Sequence, residues 1–135
     1  MLLPMTRFVV DAGSVLRLAS EEVAVRSRHK LLAPTLLRSQ TLSALHEAVQ
    51  RGEIPADVAR DRLARIRRTR MRLLGDAVLQ RRAWELADQL GWALTYDAEY
   101  VAPTQLQADT FVTLDAKLAR SLKGIVATAS IDALR

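Results

Sequence analysis

Three aspartates carry the chemistry this sequence can do. Asp11 closes the apolar run RFVVD, Asp115 closes DTFVTLD, and Asp97 opens the helical stretch DAEYVA. In an open parallel sheet the carboxyl ends of the strands line a common crevice, so acids from distant sequence can meet there. Clustered carboxylates repel one another unless a cation lies among them, and hard oxygen ligands of this kind suit Mg²⁺ or Mn²⁺. Such an ion can activate water and neutralise the charge of a phosphodiester transition state. Taken singly, Asp97 and Asp115 also read as helix N-caps, and Asp11 as a residue of a strand-to-helix turn.

The elements that must position these acids follow from the hydrophobic pattern. RFVVDAG predicts a strand and a turn, followed by a helix from about Ser14 to Arg26. In LLAPTLLRSQTLSALHEAV, Pro34 suits the first turn of a second helix, which reaches Gln50 and stops at Gly52. Leu37, Thr41, Ala44, Leu45 and Ala48 share its buried face, with Gln40 on the edge one turn before Ala44. Read by itself, Gln40 is a boundary residue whose amide finds a hydrogen bond.

Pro55 opens a third helix, with Ala59, Leu63 and Ile66 on one face and arginines over most of the rest. MRLLG reads as a short extended piece or turn. Asp76 then caps a fourth helix that runs through Leu90, with Val78, Leu79, Ala83, Leu86 and Leu90 inside and Gly91 as its stop. TYDAEYVAPTQLQ predicts a short helix entered at Asp97 and kinked or ended at Pro103. DTFVTLD is a buried strand, AKLARSL a helix, GIVATAS a last strand and IDALR a terminal helical turn. Strands that alternate with helices predict a parallel sheet covered by helices.

At 135 residues and half apolar, the chain has the size of one domain, 1–135, in which residues 1–4 read as an N-terminal extension. The absence of cysteine excludes a disulfide framework and thiolate metal sites and points to a reducing cytoplasm. No apolar run approaches the length of a membrane span. The 20 basic against 15 acidic residues leave +5, and 17 of the basic residues are arginine. Nine arginines fall between Arg60 and Arg82. Their forked guanidinium groups suit phosphate or carboxylate partners, with a solvated helix face as the plainer reading. His46 and His29 lack ligand spacing, Ser14 and Ser39 lack a partnered base, and Trp84 and Trp92 read as core or dimer-interface residues.

Four segments, FVVDAGSVLRL, LLAPTLLRSQTLSAL, TYDAEYVA and FVTLDAKLA, resemble in order and separation the PIN-domain ribonucleases, most closely the VapC-type toxins of toxin-antitoxin pairs. The similarity spans nearly the whole chain. It implies a PIN-like three-layer α/β/α sandwich with a central, mainly parallel sheet, and Mg²⁺- or Mn²⁺-dependent endonucleolytic cleavage of RNA. It also implies a homodimer through the middle helices and inhibition by a small antitoxin protein. By this resemblance Asp11, Asp97 and Asp115 match three metal-binding acids. Thr113 falls where the family often has a small hydroxyl residue, and Ser14, Thr113 and Lys117 are expected to contact RNA or support the acids.

The family's fourth acid, a glutamate in the second helix, falls on Gln40. An amide keeps the shape and one oxygen ligand but removes a negative charge, so weaker metal binding is expected, with cleavage weakened, shifted towards Mn²⁺ or lost. Glu47 lies two turns further on, and Glu99 points to another side of its helix than Asp97, so neither replaces the missing acid. The rival expectation is a PIN-like module that has lost cleavage and binds RNA or protein. A third is an arginine-rich helical adaptor without metal.

Overall fold

Val9, Val10, Phe111 and Val112 are completely buried, and their burial fixes two strands side by side at the centre of the molecule. In the computed structural model, which describes residues 5–135, β1 (Thr6–Val10) and β4 (Thr110–Val112) pair in parallel, Val9 opposite Phe111 and Val10 opposite Val112. The reading of residues 1–4 as an extension lies outside the described residues.

Outward from β1 come β2 (His29–Pro34) and β3 (Arg72–Leu74), and outward from β4 comes β5 (Thr128–Ala129). The order is β3-β2-β1-β4-β5, and every pairing is parallel rather than merely most of them. The chain thus winds one way from β1, returns, and winds the other way from β4, which places a topological switch point between β1 and β4.

Right-handed crossovers put helices made during the two halves of the winding on opposite faces. Helices α1 (Ala12–Ser20), α2 (Leu36–Gln50) and α3 (Ala56–Arg68) pack on one another. Helices α4 (Ala77–Leu90) and α5 (Tyr96–Gln107) form the other layer, with α5 across β1, β2 and β4, and α6 (Ala116–Ser121) links β4 to β5. A 3-10 turn, Ile131–Leu134, buries Ile131 and Leu134. The expected α/β/α sandwich is present.

Several elements differ from their sequence signals. LLAP belongs to β2, not to the start of a helix. Pro34 ends that strand opposite Leu74, and the next amide, Thr35 N–H, bonds to the Leu74 carbonyl at 3.0 Å. The first helix stops at Ser20 rather than continuing to Arg26, because Glu22 adopts a left-handed φ of 52° and Val23 N–H turns back to the Leu18 carbonyl at 3.1 Å.

Pro103 does not end α5. The helix continues to Gln107, held by an unbroken buried run from Tyr100 to Thr104. Asp97 lies in the first turn of α5 instead of capping it, since the cap position is Thr95. On α4, Asp76 and Gly91 cap as expected, and Leu79, Ala83 and Leu86 are buried. Val78, however, is exposed, and so is Trp84 at 67%, which removes Trp84 from the core while Trp92 packs against it.

Phe111 couples this core to the site described next, since its ring lies 6.1 Å from that of Tyr100. Phe111→Ala is therefore expected to cost about 3–5 kcal/mol of stability. Chemical denaturation of the two proteins measures the difference.

Candidate active site

The carboxyl ends of β1 and β4 flank the switch point, where open α/β sheets leave a crevice. Asp11 follows β1 directly and caps α1, accepting the Ser14 N–H on Oδ1 at 2.8 Å. Asp115 follows β4 by two residues and caps α6, accepting the Leu118 N–H on Oδ1 at 3.0 Å. The capping and chemical readings of these aspartates are therefore compatible: one oxygen holds the helix, and the other has no protein hydrogen bond among the described residues.

The small hydroxyl residues nearby hold this backbone in place. The Ser14 hydroxyl is fully buried and donates to the Val112 carbonyl at 3.2 Å, tying the start of α1 to the end of β4. Asp11 N–H reaches the same carbonyl at 3.3 Å. Buried Thr113 accepts the Asp115 N–H on its hydroxyl oxygen at 3.1 Å. Ser14 and Thr113 support the acids from inside, while Lys117 stands exposed in the first turn of α6.

Asp97 joins the other two electrostatically. Surrounding protein strips water from its carboxylate, although the residue as a whole is exposed, and Asp115 and Asp11 repel its charge. All three effects raise its pKa above the ordinary carboxylate value. Among the described residues no lysine or arginine forms an ion pair with Asp11, Asp97 or Asp115. Glu99 is turned away, accepting the Thr95 hydroxyl at 3.0 Å. No group of three or more His, Asp or Glu among the described residues stands close enough to form a finished ion cage.

Gln40 reaches the same region from α2 and meets a residue absent from the expected set. The Tyr100 hydroxyl donates to Gln40 Oε1 at 2.5 Å, bridging the two helical layers. Tyr100 is three residues beyond Asp97, so helical spacing puts both on one side of α5; that spacing was the available signal. Burial, then the negative charges of Asp11, Glu99 and Asp97, push the phenol pKa well upward, and only a hydrogen bond from the Ala12 backbone opposes them. Tyr100 therefore stays protonated and acts as a donor. Its proton occupies one of the two lone pairs of the Gln40 oxygen, and the amide NH₂ group makes no hydrogen bond among the described residues.

Fold and site together define an open, all-parallel α/β domain with Asp11 and Asp115 beyond the carboxyl ends of the two strands that flank the switch point. This is the PIN-like α/β/α fold. A structure of PAE2754 from Pyrobaculum aerophilum is similar to 96% of this chain and 93% of its own, with a TM-score of 0.72 and 21% identity. VapBC2 from Rickettsia felis, bound to a DNA fragment from its promoter, is similar over 93% of this chain and 98% of its own, at TM-score 0.64 and 10% identity. VapBC-1 from nontypeable Haemophilus influenzae gives the same coverages at TM-score 0.62 and 12% identity. No protein-family model and no curated protein matches the sequence.

Two outcomes follow from the geometry. Because the folded-state pKa of Asp97 is raised above the ordinary aspartate value of 3.8, the folded protein holds that proton more tightly than the unfolded chain. Stability is then lost as pH rises from about 3.8 through the raised value. Asp97→Asn should accordingly raise the melting temperature at neutral pH, with the gain vanishing near pH 3.5, about where both side chains are neutral; thermal melts across that range measure it. Tyr100→Phe should cost about 1–2 kcal/mol in denaturant titrations, the scale of a lost, partly buried hydrogen bond.

Proposed function

We propose that the protein is a metal-dependent endoribonuclease, acting as the toxin of a toxin-antitoxin pair. The observation that supports this reading is the mutual repulsion of Asp11, Asp97 and Asp115 near the switch point, none of which forms an ion pair with a lysine or arginine among the described residues. Their net charge and hard oxygen atoms fit a divalent cation, Mg²⁺ or Mn²⁺. When bound, such an ion supplies a nucleophilic water and offsets charge on the phosphodiester.

In this chain Asp11 and Asp115 offer the oxygens left over from capping, and Asp97 offers a carboxylate that is costly to keep ionised without a cation. Gln40, held by Tyr100, offers NH₂ donors to a phosphate oxygen or a water. That role stands beside the expectation from the sequence, that Gln40 orients a metal-bound water or ligates weakly. Lys117 contributes a cation beside Asp115. Among the described residues no helix is long and apolar enough to cross a membrane.

The partners follow from the same reading. VapBC assemblies share the fold, which supports a small antitoxin as partner. Exposed Val78 and Trp84 on α4, with Leu94 and Tyr96 at the approach to α5, support a homodimer through the middle helices. A second reading, a PIN-like RNA- or protein-binding module without cleavage, is favoured by the engaged Gln40 oxygen and by the lack of a finished ion cage among the described residues.

Incubation with structured RNAs in Mg²⁺ and in Mn²⁺ decides between them. The enzyme reading expects ion-dependent cleavage that falls at least roughly a hundredfold in Asp97→Asn, the scale of removing one electrostatic contact to a transition state. No cleavage in either ion overturns it. Gln40→Glu, which restores the charge while retaining the Tyr100 contact, should tighten Mn²⁺ binding by roughly tenfold or more in calorimetry. Cleavage gained only in that variant favours the binding module.

A further inference from the structure

The end of the sheet remote from the acids carries the opposite charge. Arg7 on β1 lies directly opposite Lys30 on β2, and Arg70 and Arg72, before and at the start of β3, line the same cavity as these two. Arg7 and Lys30 thus face each other across adjacent strands, about 4.8 Å apart along the sheet, with the two further arginines beside them. Like charges placed directly opposite destabilise a sheet. Arg28 and Arg26 add to the same field, since after burial their charges are what hold the pKa of His29, in the strand beside them, below its ordinary value.

Among the described residues none of Arg7, Arg26, Arg28, Lys30, Arg70 and Arg72 forms an ion pair with a carboxylate. Asp109, at the entry to β4, accepts the Arg7 backbone N–H at 2.8 Å, and no ion pair to the Arg7 guanidinium is present among the described residues. Arg65 lies deeper and is already matched to Glu22 and Asp61. A cavity of about 380 Å³ opens among Arg7, Lys30, Arg70 and Arg72, with Leu31 and Met71 in its wall. It shares Arg70 and His29 with a neighbouring cavity of about 670 Å³ that Arg26 also lines.

We infer that this basic end of the sheet, centred on Arg7, Lys30 and Arg70, is a second nucleic-acid site that binds the backbone of single-stranded RNA outside the acidic crevice. A cluster of cations without ion pairs among the described residues is maintained against its own repulsion, and a polyanion removes that repulsion. Five of the six cations are arginines, whose fork fits the two free oxygens of a phosphodiester. Carboxylates on one side of an extended acidic peptide recur only about every 6.6 Å, which is too widely spaced to match neighbouring strands one for one.

Arg7 and Asp11 are four residues apart on one strand, about 13 Å. A stacked single strand covers that distance in about four nucleotides. One RNA can therefore occupy both ends, with the basic site holding a segment remote from the reacting phosphate. The identity of the polymer rests on the proposed RNA reading, but the site itself requires neither metal nor cleavage.

The test is fluorescence anisotropy of a labelled single-stranded RNA of about 12 nucleotides with the full-length protein in EDTA, across a salt titration. Replacing Arg7, Lys30 and Arg70 together by Gln is expected to weaken binding at least tenfold and to lower the salt slope by about 2, near 0.7 for each cation lost. The charge-preserving set Arg7→Lys, Lys30→Arg and Arg70→Lys should retain the parent slope. Unchanged affinity and slope in the Gln variant overturns the site. So does equal loss in the charge-preserving variant, or preference of the parent for a poly-glutamate peptide over RNA. A protein that binds RNA through these residues but never cleaves it leaves the site standing and sinks only the nuclease reading.

Discussion

The parallel pairing of β1 with β4 is the constraint on which everything else depends. These strands are separated by about a hundred residues, and the chain reverses its winding between them. Complete burial of Val9, Val10, Phe111 and Val112 drives the pairing. The Val112 carbonyl then accepts from both the Asp11 amide and the Ser14 hydroxyl, fastening the start of α1 to the end of β4. Without that seam, Asp11 and Asp115 would be two unrelated helix caps. With it, the second oxygens of both carboxylates are brought to one crevice.

A crevice built this way accumulates charge that the protein does not neutralise. Asp97 bears the cost, since desolvation and its two neighbours all oppose its ionisation. Tyr100 lies against the same charges and remains a neutral donor because of them. The site therefore holds two polar groups fixed by electrostatics rather than by ion pairs: a carboxylate that gains from any added cation, and a phenol committed to Gln40. The gathered like charges therefore cost stability, a pattern that perturbed carboxylates often mark at functional sites.

Much of this was legible in the sequence, and what was not has definite causes. Asp11 and Asp115 could be placed because strand ends are marked by apolar runs, and α4 because Asp76 and Gly91 bracket it. β2 was hidden because LLAP is short and Pro34 suits a helix start as well as a strand end. Pro103 was read as a break because its missing N–H is a local property, whereas the buried run around it is a tertiary one. Trp84 and Val78 illustrate the same limit: apolar character predicts burial, but not whether a partner outside the chain supplies it. Tyr100 was overlooked because its role is defined by a residue sixty positions away.

That distant contact also explains how the fold accommodates an amide at position 40. The hydroxyl of Tyr100 needs an acceptor from α2, and a glutamine oxygen supplies one as well as a carboxylate would. The architecture of the crevice is therefore indifferent to the charge of residue 40, which is half-buried and has no ion-pair partner among the described residues. What changes is the group left facing outward. A carboxylate would present a second oxygen, suited to a cation, whereas the amide presents hydrogen-bond donors, suited to an anionic or water oxygen. The amide thus presents NH₂ donors where a carboxylate would present an oxygen, and leaves the seam between β1 and β4 untouched.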